Sequence, residues 1–313
     1  MEQLAPFAEL ELENEQHVLR ATTLSAVYKT SLVNTRMLGR GNVAKVYHAT
    51  MQNIHDGSIV PIACKCVKAM YDSDAMGGWS TEAEIIKALK ESPDSRECPY
   101  LPRYYDTMCV QYDDFYMAGL VFMELLPVQS IGDLIGEHIA REELFENAFL
   151  LRTLHQMATA LSICHKNHIA HMDFKSVNVL YDAKTERAIL IDFNLSKYRT
   201  PFLPLASGLG TPMYAAPEIS LDQPVDTFKA DVWCFGQFCY ELLALEAQFE
   251  RTKDMRELRN ILKKQPRAAE SPLVTRHDPL YVKLLDSVLV YDNPKERWSF
   301  DEIVLYIEPY LPT

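Results

Sequence analysis

The most constraining feature of this chain is that strand-like and helix-like patterns occupy separate parts of it. Short β-rich runs come first, at 33–38, 43–49, 59–67, 104–111 and 118–125. After Leu126 the pattern is helical, apart from two short strands predicted at 177–181 and 188–192 that bracket turn residues. No Ser/Gly-rich linker or internal repeat divides the chain. This segregation predicts an α+β protein with two lobes joined by a short connection.

Helical periodicity predicts one helix among the early strands and several after them. Between the strands, 79–89 has helical spacing, with Ser80 as the expected N-cap. Residues 1–30 have the composition of an acidic, helical lead-in. The later helices are expected at 142–167, 230–245, 255–264 and 279–290.

Charge and hydropathy limit the partners and the compartment. The 313 residues include 43 Asp plus Glu against 31 Lys plus Arg, a formal net charge of -12. Such a surface repels nucleic-acid backbones and anionic membranes, so neither is expected as a partner. No apolar run approaches the roughly 20 residues that span a bilayer, and the N-terminus has the opposite charge of a targeting peptide. The expected compartment is the cytoplasm, with the nucleus left open.

The seven cysteines fit reduced thiols better than a disulfide framework. Their number is odd and most lie in apolar runs. Cys64 and Cys66 also allow a metal-pair interpretation. However, no second pair lies nearby, which favours core packing.

A glycine-rich segment at 38–46 is the first candidate for chemistry. Gly39 and Gly41 lie between predicted strands, whereas a dinucleotide site would join a strand to a helix. A glycine hairpin lets backbone N–H groups approach phosphate oxygens. An ordinary hairpin turn remains the alternative for this segment alone.

The second candidate is Lys65, which stands in an otherwise apolar strand. A buried lysine needs a counter-ion. Glu82 on the following helix is the expected partner, because it shares a face with Ile85 and Ile86. Glu84 is the alternative.

The third candidate is a group of polar residues on a strand–turn–strand unit. Asn178 and Asp192 are hard oxygen ligands that suit Mg²⁺ when substrate phosphates supply the remaining ligands. A carboxylate at Asp173 could accept a hydroxyl proton, and Lys175 could neutralise charge on a phosphoryl group.

Taken in order, these motifs resemble the eukaryotic protein kinase family over roughly residues 32–308. Further matching segments are Gly210–Tyr214, Ala216–Glu218, Asp231–Gly236 and Arg297. The resemblance implies a bilobal kinase fold with a five-stranded antiparallel N-lobe sheet, one main N-lobe helix and a mainly helical C-lobe. It also implies five segments: an acidic extension at 1–31, an N-lobe at 32–123, a hinge at 124–126, a C-lobe at 127–308 and a tail at 309–313.

The resemblance also implies a role for each matching residue. Lys65 would hold the α- and β-phosphates of ATP and pair with Glu82, while Asn178 and Asp192 would bind Mg²⁺. Asp173 would be the base, Lys175 would contact the γ-phosphate, and Thr211 would bond near both. The implied nucleotide site comprises Leu38, Gly39, Gly41, Ala44, Val46, Ala63, Lys65, Met123, Glu124, Leu126, Ser130, Leu180 and Asp192. The resemblance also implies structural roles. Ile86, His171 and Phe193 would belong to the hydrophobic spine that ties the lobes together, and Asp231 would anchor that spine. Glu218 and Arg297 would form a structural ion pair.

Two departures from the family pattern bear on regulation. Met172 stands where most members have Arg, so the loop cannot clamp a phosphorylated activation segment, and activity is expected not to depend on such phosphorylation. Asn194 replaces a glycine, and Asn tolerates positive φ better than most residues. Ser130 and Val177 stand where basic-directed kinases carry acids, which argues against a strict arginine requirement.

The expected function is that of a serine/threonine protein kinase using ATP and Mg²⁺. Its expected partner is a protein substrate, and an additional regulatory protein is left open. Met172 and Asn194 motivate a second interpretation, a pseudokinase or scaffold without turnover. A small-molecule kinase is the third interpretation, but such enzymes generally lack the 210–218 segment.

Overall fold

The described residues of the computed structural model form two compact units. They are 23–24, 28–31, 36–41, 44–53, 56–70, 73–111, 116–204, 210–220, 224–246 and 271–312. The first unit comprises Met1–Lys90 and Pro102–Val128, and the second comprises Glu91–Leu101 and Gln129–Thr313. The helix predicted at 255–264 lies outside the described residues, as does most of the predicted acidic extension.

The first unit is built on an antiparallel sheet. Its strands are β1 (Thr23–Leu24), β2 (Tyr28–Ser31), β3 (Met37–Arg40), β4 (Ala44–Asn53), β5 (Ile59–Met70), β6 (Tyr104–Gln111) and β7 (Tyr116–Glu124). They are ordered β1-β2-β4-β5-β7-β6, and β3 also pairs with β4. The five predicted strands are confirmed. The helical prediction for residues 1–30 is wrong where it covers β1 and β2, two short strands that extend the sheet beyond β4.

The register of this sheet places Lys65 at its centre. Lys65 lies opposite Val46 on one side and Val121 on the other. Because side chains alternate between faces, neighbours of Lys65 such as Cys64 face the opposite side. There Cys64, Ile62 and Phe122 belong to a buried apolar cluster. This cluster stabilises the sheet from the face that Lys65 does not use.

Helix α1 (Asp74–Glu91) covers the Lys65 face of the sheet with Met76, Glu82, Ile85, Ile86 and Leu89 as its buried residues. The predicted N-cap at Ser80 is wrong, because the helix begins six residues earlier. Ser73 accepts backbone bonds from the amides of residues 76 and 77 at 3.0 Å. Glycines at 77 and 78 are poor helix formers, and tertiary packing overrides this weak preference.

The second unit is mainly helical. Its helices are α2 (Pro93–Glu97), α3 (Ile131–Arg141), α4 (Asn147–Lys166), α5 (Pro217–Ser220), α6 (Thr227–Ala244), α7 (Pro272–Thr275), α8 (Pro279–Val288) and α9 (Phe300–Ile307). Short strands β8 (Ile169–Ala170), β9 (Val179–Asp182), β10 (Arg187–Leu190), β11 (Lys197–Tyr198), β12 (Phe202–Leu203) and β13 (Val225–Asp226) pair in twos. This arrangement confirms the α+β fold class.

The helix predicted over 142–167 is confirmed as α4, although it begins at Asn147 and not at Glu142. Helix α3, which comes before that range, was not predicted from the sequence. Glu142 ends α3 in the left-handed conformation, with φ of 57°. The central helix is α6, which is buried on nearly all sides. Its N-cap Asp226 accepts bonds from the backbone N–H groups of Phe228 and Lys229.

The cysteines are free thiols, as the sequence predicted. Cys64, Cys98, Cys164, Cys234 and Cys239 are buried, and burial raises the pKa of each. Within the described residues no three His, Cys, Asp or Glu side chains group closely enough to hold a metal. None of the described helices has both the length and the apolar composition needed to cross a membrane.

Candidate functional site

The predicted site residues are distributed over both units, and each group is built by its own unit. In the first unit, Lys65 on β5 pairs with Glu82 on α1. The Lys65 Nζ lies 2.8 and 3.0 Å from the two carboxylate oxygens of Glu82. Both side chains are buried, at 8% and 2% exposure. The pair expected from the strand and helix patterns is therefore formed, and the alternative partner Glu84 is exposed.

The glycine-rich segment of the first unit includes the end of one strand and the start of the next, and these two strands pair antiparallel. Arg40 ends β3, Ala44 begins β4, and the Gly41 N–H donates to the Ala44 carbonyl at 2.8 Å. Gly39 has no heavy atom within 4 Å of the place where a side chain would begin. The backbone is thus open to an approaching phosphate, and the strand that follows rules out the strand-to-helix turn of a dinucleotide site.

The remaining residues predicted to bind nucleotide lie on several elements. In the first unit, Leu38 is half-buried on β3, Ala44 and Val46 are half-buried on β4, Ala63 is buried on β5, and Met123 and Glu124 end β7. Leu126 follows as a half-buried residue. In the second unit, Ser130 and Leu180 form an isolated β-bridge. The Ser130 hydroxyl accepts a hydrogen bond from the Asp133 N–H at 3.0 Å and so caps α3. Ser130 therefore also stabilises this helix, in addition to its predicted role in nucleotide binding.

Asp173 is the centre of a hydrogen-bonded cluster in the second unit. Its Oδ1 accepts from Thr211 Oγ1 at 2.7 Å, and its Oδ2 accepts from Lys175 Nζ at 2.7 Å. Lys175 Nζ also donates to Thr211 Oγ1 at 2.7 Å. Asn178 Nδ2 donates to the Asp173 carbonyl at 2.9 Å and to its Oδ2 at 3.3 Å. The structure therefore brings together four of the residues that the sequence predicted.

Asp231 holds the loop that carries Asp173. This fully buried carboxylate accepts from the backbone N–H groups of His171 and Met172 at 2.7 Å each. His165, which sequence reasoning missed, lies 3.0 Å from the same carboxylate. Met172 has φ of 62°, a conformation that non-glycine residues seldom adopt. The two strong bonds to Asp231 offset the cost of that conformation.

His171 links this loop to the segment that contains Asp192. Its Nδ1 faces the Asp173 N–H at 3.3 Å, and its Nε2 lies 3.1 Å from the Ile191 carbonyl. These partners assign the proton to Nε2, which donates to that carbonyl. The Phe193 ring is fully buried with its centroid 5.1 Å from that of His171.

Asn178 and Asp192 supply the donor set predicted for Mg²⁺. The Ile191 N–H donates to the Asn178 carbonyl at 2.9 Å, which ties the two segments together. Because Nδ2 of Asn178 is used on Asp173, its amide oxygen is the atom suited to a cation. One amide oxygen and one carboxylate fit Mg²⁺, which commonly takes few protein ligands beside substrate phosphates.

Asp192 carries the left-handed backbone of its segment, with φ of 70°. Asn194, which could tolerate such a conformation, is not among the described residues with positive φ. A strained conformation at a non-glycine residue is characteristic of functional sites. Here the strain falls on the predicted metal ligand itself.

The segment after Gly210 is fastened to the helical core. Gly210 has φ of 80°, and a side-chain carbon there would lie 2.8 Å from the Met172 carbonyl. The Tyr214 hydroxyl donates a hydrogen bond to the Glu241 carboxylate. The Ser176 hydroxyl lies 3.2 Å from the Tyr214 hydroxyl. Burial raises the pKa of both Tyr214 and Glu241. Sequence reasoning missed this link, although a glutamate within the apolar α6 pattern was a usable signal.

The predicted Glu218–Arg297 ion pair is formed and buried. Arg297 Nη1 and Nη2 lie 2.6 and 2.8 Å from the two carboxylate oxygens of Glu218. Two further guanidinium N–H groups donate to the backbone carbonyls of Val290 and Lys229. The pair joins the segment that follows Thr211 to the last part of the chain.

Comparison with known proteins agrees with this geometry. The protein kinase domain model matches residues 32–307. Serine/threonine-protein kinase ULK1 of Homo sapiens is 26% identical over 283 residues, covering 88% of this chain and 25% of the relative. Serine/threonine-protein kinase pakH of Dictyostelium discoideum is 27% identical, covering 94% and 52%. CBL-interacting protein kinase 30 of Oryza sativa subsp. japonica is 28% identical, covering 86% and 52%. The chain spans from a quarter to about half of the length of these relatives.

Proposed function

This chain belongs to the protein kinase family, and from that premise we propose that it is an active enzyme that phosphorylates serine or threonine hydroxyls of a protein. The observation that carries the proposal is the cluster around Asp173. Lys175, Thr211 and Asn178 all donate to its carboxylate, so one orientation is held before any substrate arrives. Such preorganisation is the main contribution a protein makes to phosphoryl transfer.

Each residue has a role that follows from its position in this cluster. Asp173 accepts the proton of the attacking hydroxyl, and a positioned base of this kind typically contributes about 10²–10⁴-fold to the rate. Lys175, 2.7 Å from Asp173, neutralises negative charge on the transferring group. Thr211 bonds both residues and so fixes the distance between them.

The first unit supplies the nucleotide contacts of the proposal. Lys65, held by Glu82, binds the α- and β-phosphates, and the open backbone at Gly39 admits them. Mg²⁺, held by Asn178 and Asp192, would neutralise charge on the phosphate oxygens. The complete set of these residues supports turnover over the pseudokinase or scaffold alternative.

The other parts of the proposal concern partners and compartment. Membership of the protein kinase family supports a protein substrate. The net charge of -12 argues against nucleic acid or an anionic membrane as a partner. We also propose a cytoplasmic location and leave a nuclear location open. Whether a regulatory protein also binds is left open. Thr211 at the Asp173 carboxylate supports Ser/Thr specificity.

The test is a peptide-array assay with Mg²⁺ and ATP on the wild type and on Asp173→Ala. We expect transfer to Ser or Thr peptides by the wild type and its loss in the variant. The matched control is Asp286→Ala, the same chemical change at an exposed position of α8. Equal background signal in all three proteins would contradict turnover and favour the scaffold alternative. Transfer to tyrosine peptides alone would contradict the Ser/Thr assignment.

A further inference from the structure

Gly119 on β7 marks a close approach between the sheet and helix α1. A side-chain carbon at this position would lie 2.5 Å from atoms Cδ1 and Cδ2 of the Trp79 indole. The glycine is not required by its backbone, because its φ is not in the left-handed range. Its role is therefore to leave space for the Trp79 ring.

Gly119 lies on the same face of the sheet as Lys65. Lys65 stands opposite Val121, and Val67 stands opposite Gly119. Since residues two apart on a strand share a face, all four side-chain positions point toward the same side. The Trp79 ring therefore packs on the face from which Lys65 reaches Glu82.

Trp79 and Glu82 are neighbours on α1. They are three residues apart, which places them on one side of the helix about a turn from each other. A displacement of the Trp79 end of this turn away from the sheet therefore also displaces the Glu82 carboxylate.

Packing alone sets the position of the Trp79 ring. Its indole N–H is buried and has no hydrogen-bond partner within the described residues. Ordinary carbon–carbon contact is about 3.5–4.0 Å, so a methyl group at Gly119 would require the ring to move by about 1 Å. The Lys65–Glu82 bonds measure 2.8 and 3.0 Å. An added 1 Å would take them beyond the distance at which a hydrogen bond persists.

We propose that Trp79 and Gly119 are positioning residues: the indole seated on the bare backbone of Gly119 holds α1 at the separation at which Glu82 pairs with Lys65. The proposal rests on the kinase function proposed above, because the pair matters through the nucleotide phosphates that Lys65 would bind. On this proposal, the contact between Trp79 and Gly119 affects nucleotide affinity through Glu82 and Lys65.

The test is a double-mutant cycle built on Gly119→Ala and Trp79→Ala. We expect Gly119→Ala to weaken Mg-ATP binding, measured by calorimetry, and to lower kcat/KM for ATP by on the order of 10²-fold. The same substitution should speed hydrogen exchange at the α1 backbone amides. With Trp79→Ala already present, Gly119→Ala should have no further effect, because the clashing ring is gone.

A second cycle with Glu82→Gln separates positioning from stability. If the packing acts through Glu82, neither substitution should weaken ATP binding further in the Glu82→Gln background. If Gly119→Ala fails to fold, Trp79→Ala carries the same test, since it opens space and creates no clash. A full Gly119→Ala effect in the absence of the Glu82 carboxylate would overturn the proposal.

Two glycines supply matched controls. Gly77→Ala adds the same methyl to α1 in open space, and should leave ATP affinity unchanged. Gly236→Ala creates a comparable clash with Leu289, 2.5 Å away in the second unit, so it should lower the unfolding midpoint without changing ATP affinity. If Gly119→Ala behaves like Gly236→Ala, the contact is only structural and the proposal fails. ATP affinity and amide exchange test this positioning role even if the protein has no turnover. An absence of turnover would count only against the proposed function.

Discussion

Replacing Glu218 by Gln should strongly destabilise the second unit. Arg297 and Glu218 are 1% and 5% exposed, and the guanidinium makes two parallel bonds to the carboxylate. Removing one partner of a buried pair leaves an uncompensated charge, which costs about 3–5 kcal/mol. Gln can accept one of the two bonds, but its NH₂ group then faces an arginine donor. We expect a loss of about 4 kcal/mol in the free energy of unfolding.

Urea unfolding followed by tryptophan fluorescence provides the measurement. The Arg297 guanidinium lies 5.0 Å from the centroid of the Trp233 ring, so the emission reports on this site. With a slope of about 3 kcal/mol per molar urea, the unfolding midpoint should fall by roughly 1.3 M. The slope itself should not change.

Glu137→Gln is the matched control for this substitution. Glu137 pairs with Arg141 at 3.3 Å, but the two side chains are 44% and 60% exposed. Exposed helical pairs contribute about 0.3–0.5 kcal/mol, so the midpoint should barely move. Equal shifts in Glu218→Gln and Glu137→Gln would refute the argument from burial.

Two further predictions concern phosphorylation and pH. Phosphatase treatment should leave ATP turnover unchanged, because Met172 is buried in an apolar cluster and offers a phosphate no cation; loss of turnover would contradict this. Hydrogen bonds from Lys166 and Ser162 lower the pKa of Asp301, so its ionised form stabilises the fold at neutral pH, and this contribution is lost as pH falls through that lowered pKa. Asp301→Asn should therefore lower the thermal midpoint at pH 7, and the difference from wild type should shrink near pH 3; a constant difference would refute it.

The sequence predicted functional residues best where they lie in short local motifs. The apolar strand around Lys65 implied a buried counter-ion, and the helix pattern selected Glu82 over Glu84. Element ends were harder to predict. Ser80 is a good capping residue, yet it lies inside α1, because contacts along the whole helix outweigh the preference of one residue for a cap.

Residues that act through distant neighbours were beyond the reach of the sequence. Gly119 and Trp79 are 40 positions apart, and neither carries a local signal of the other. The Tyr214–Glu241 bond is similarly hidden. The left-handed backbone falls on Asp192 and not on Asn194, because the surrounding bonds determine where the strain is held.

The sequence by itself determined the α+β class, the five main strands of the first unit and the identity of the charged residues that carry the proposed chemistry. These follow from periodicity and from the cost of burying a charge, which are properties of short segments. Only the tertiary structure decided which donors surround Asp173, where backbone strain lies and how closely α1 approaches the sheet. Those quantities depend on packing between residues far apart in the chain, and such packing has no local periodicity to reveal it.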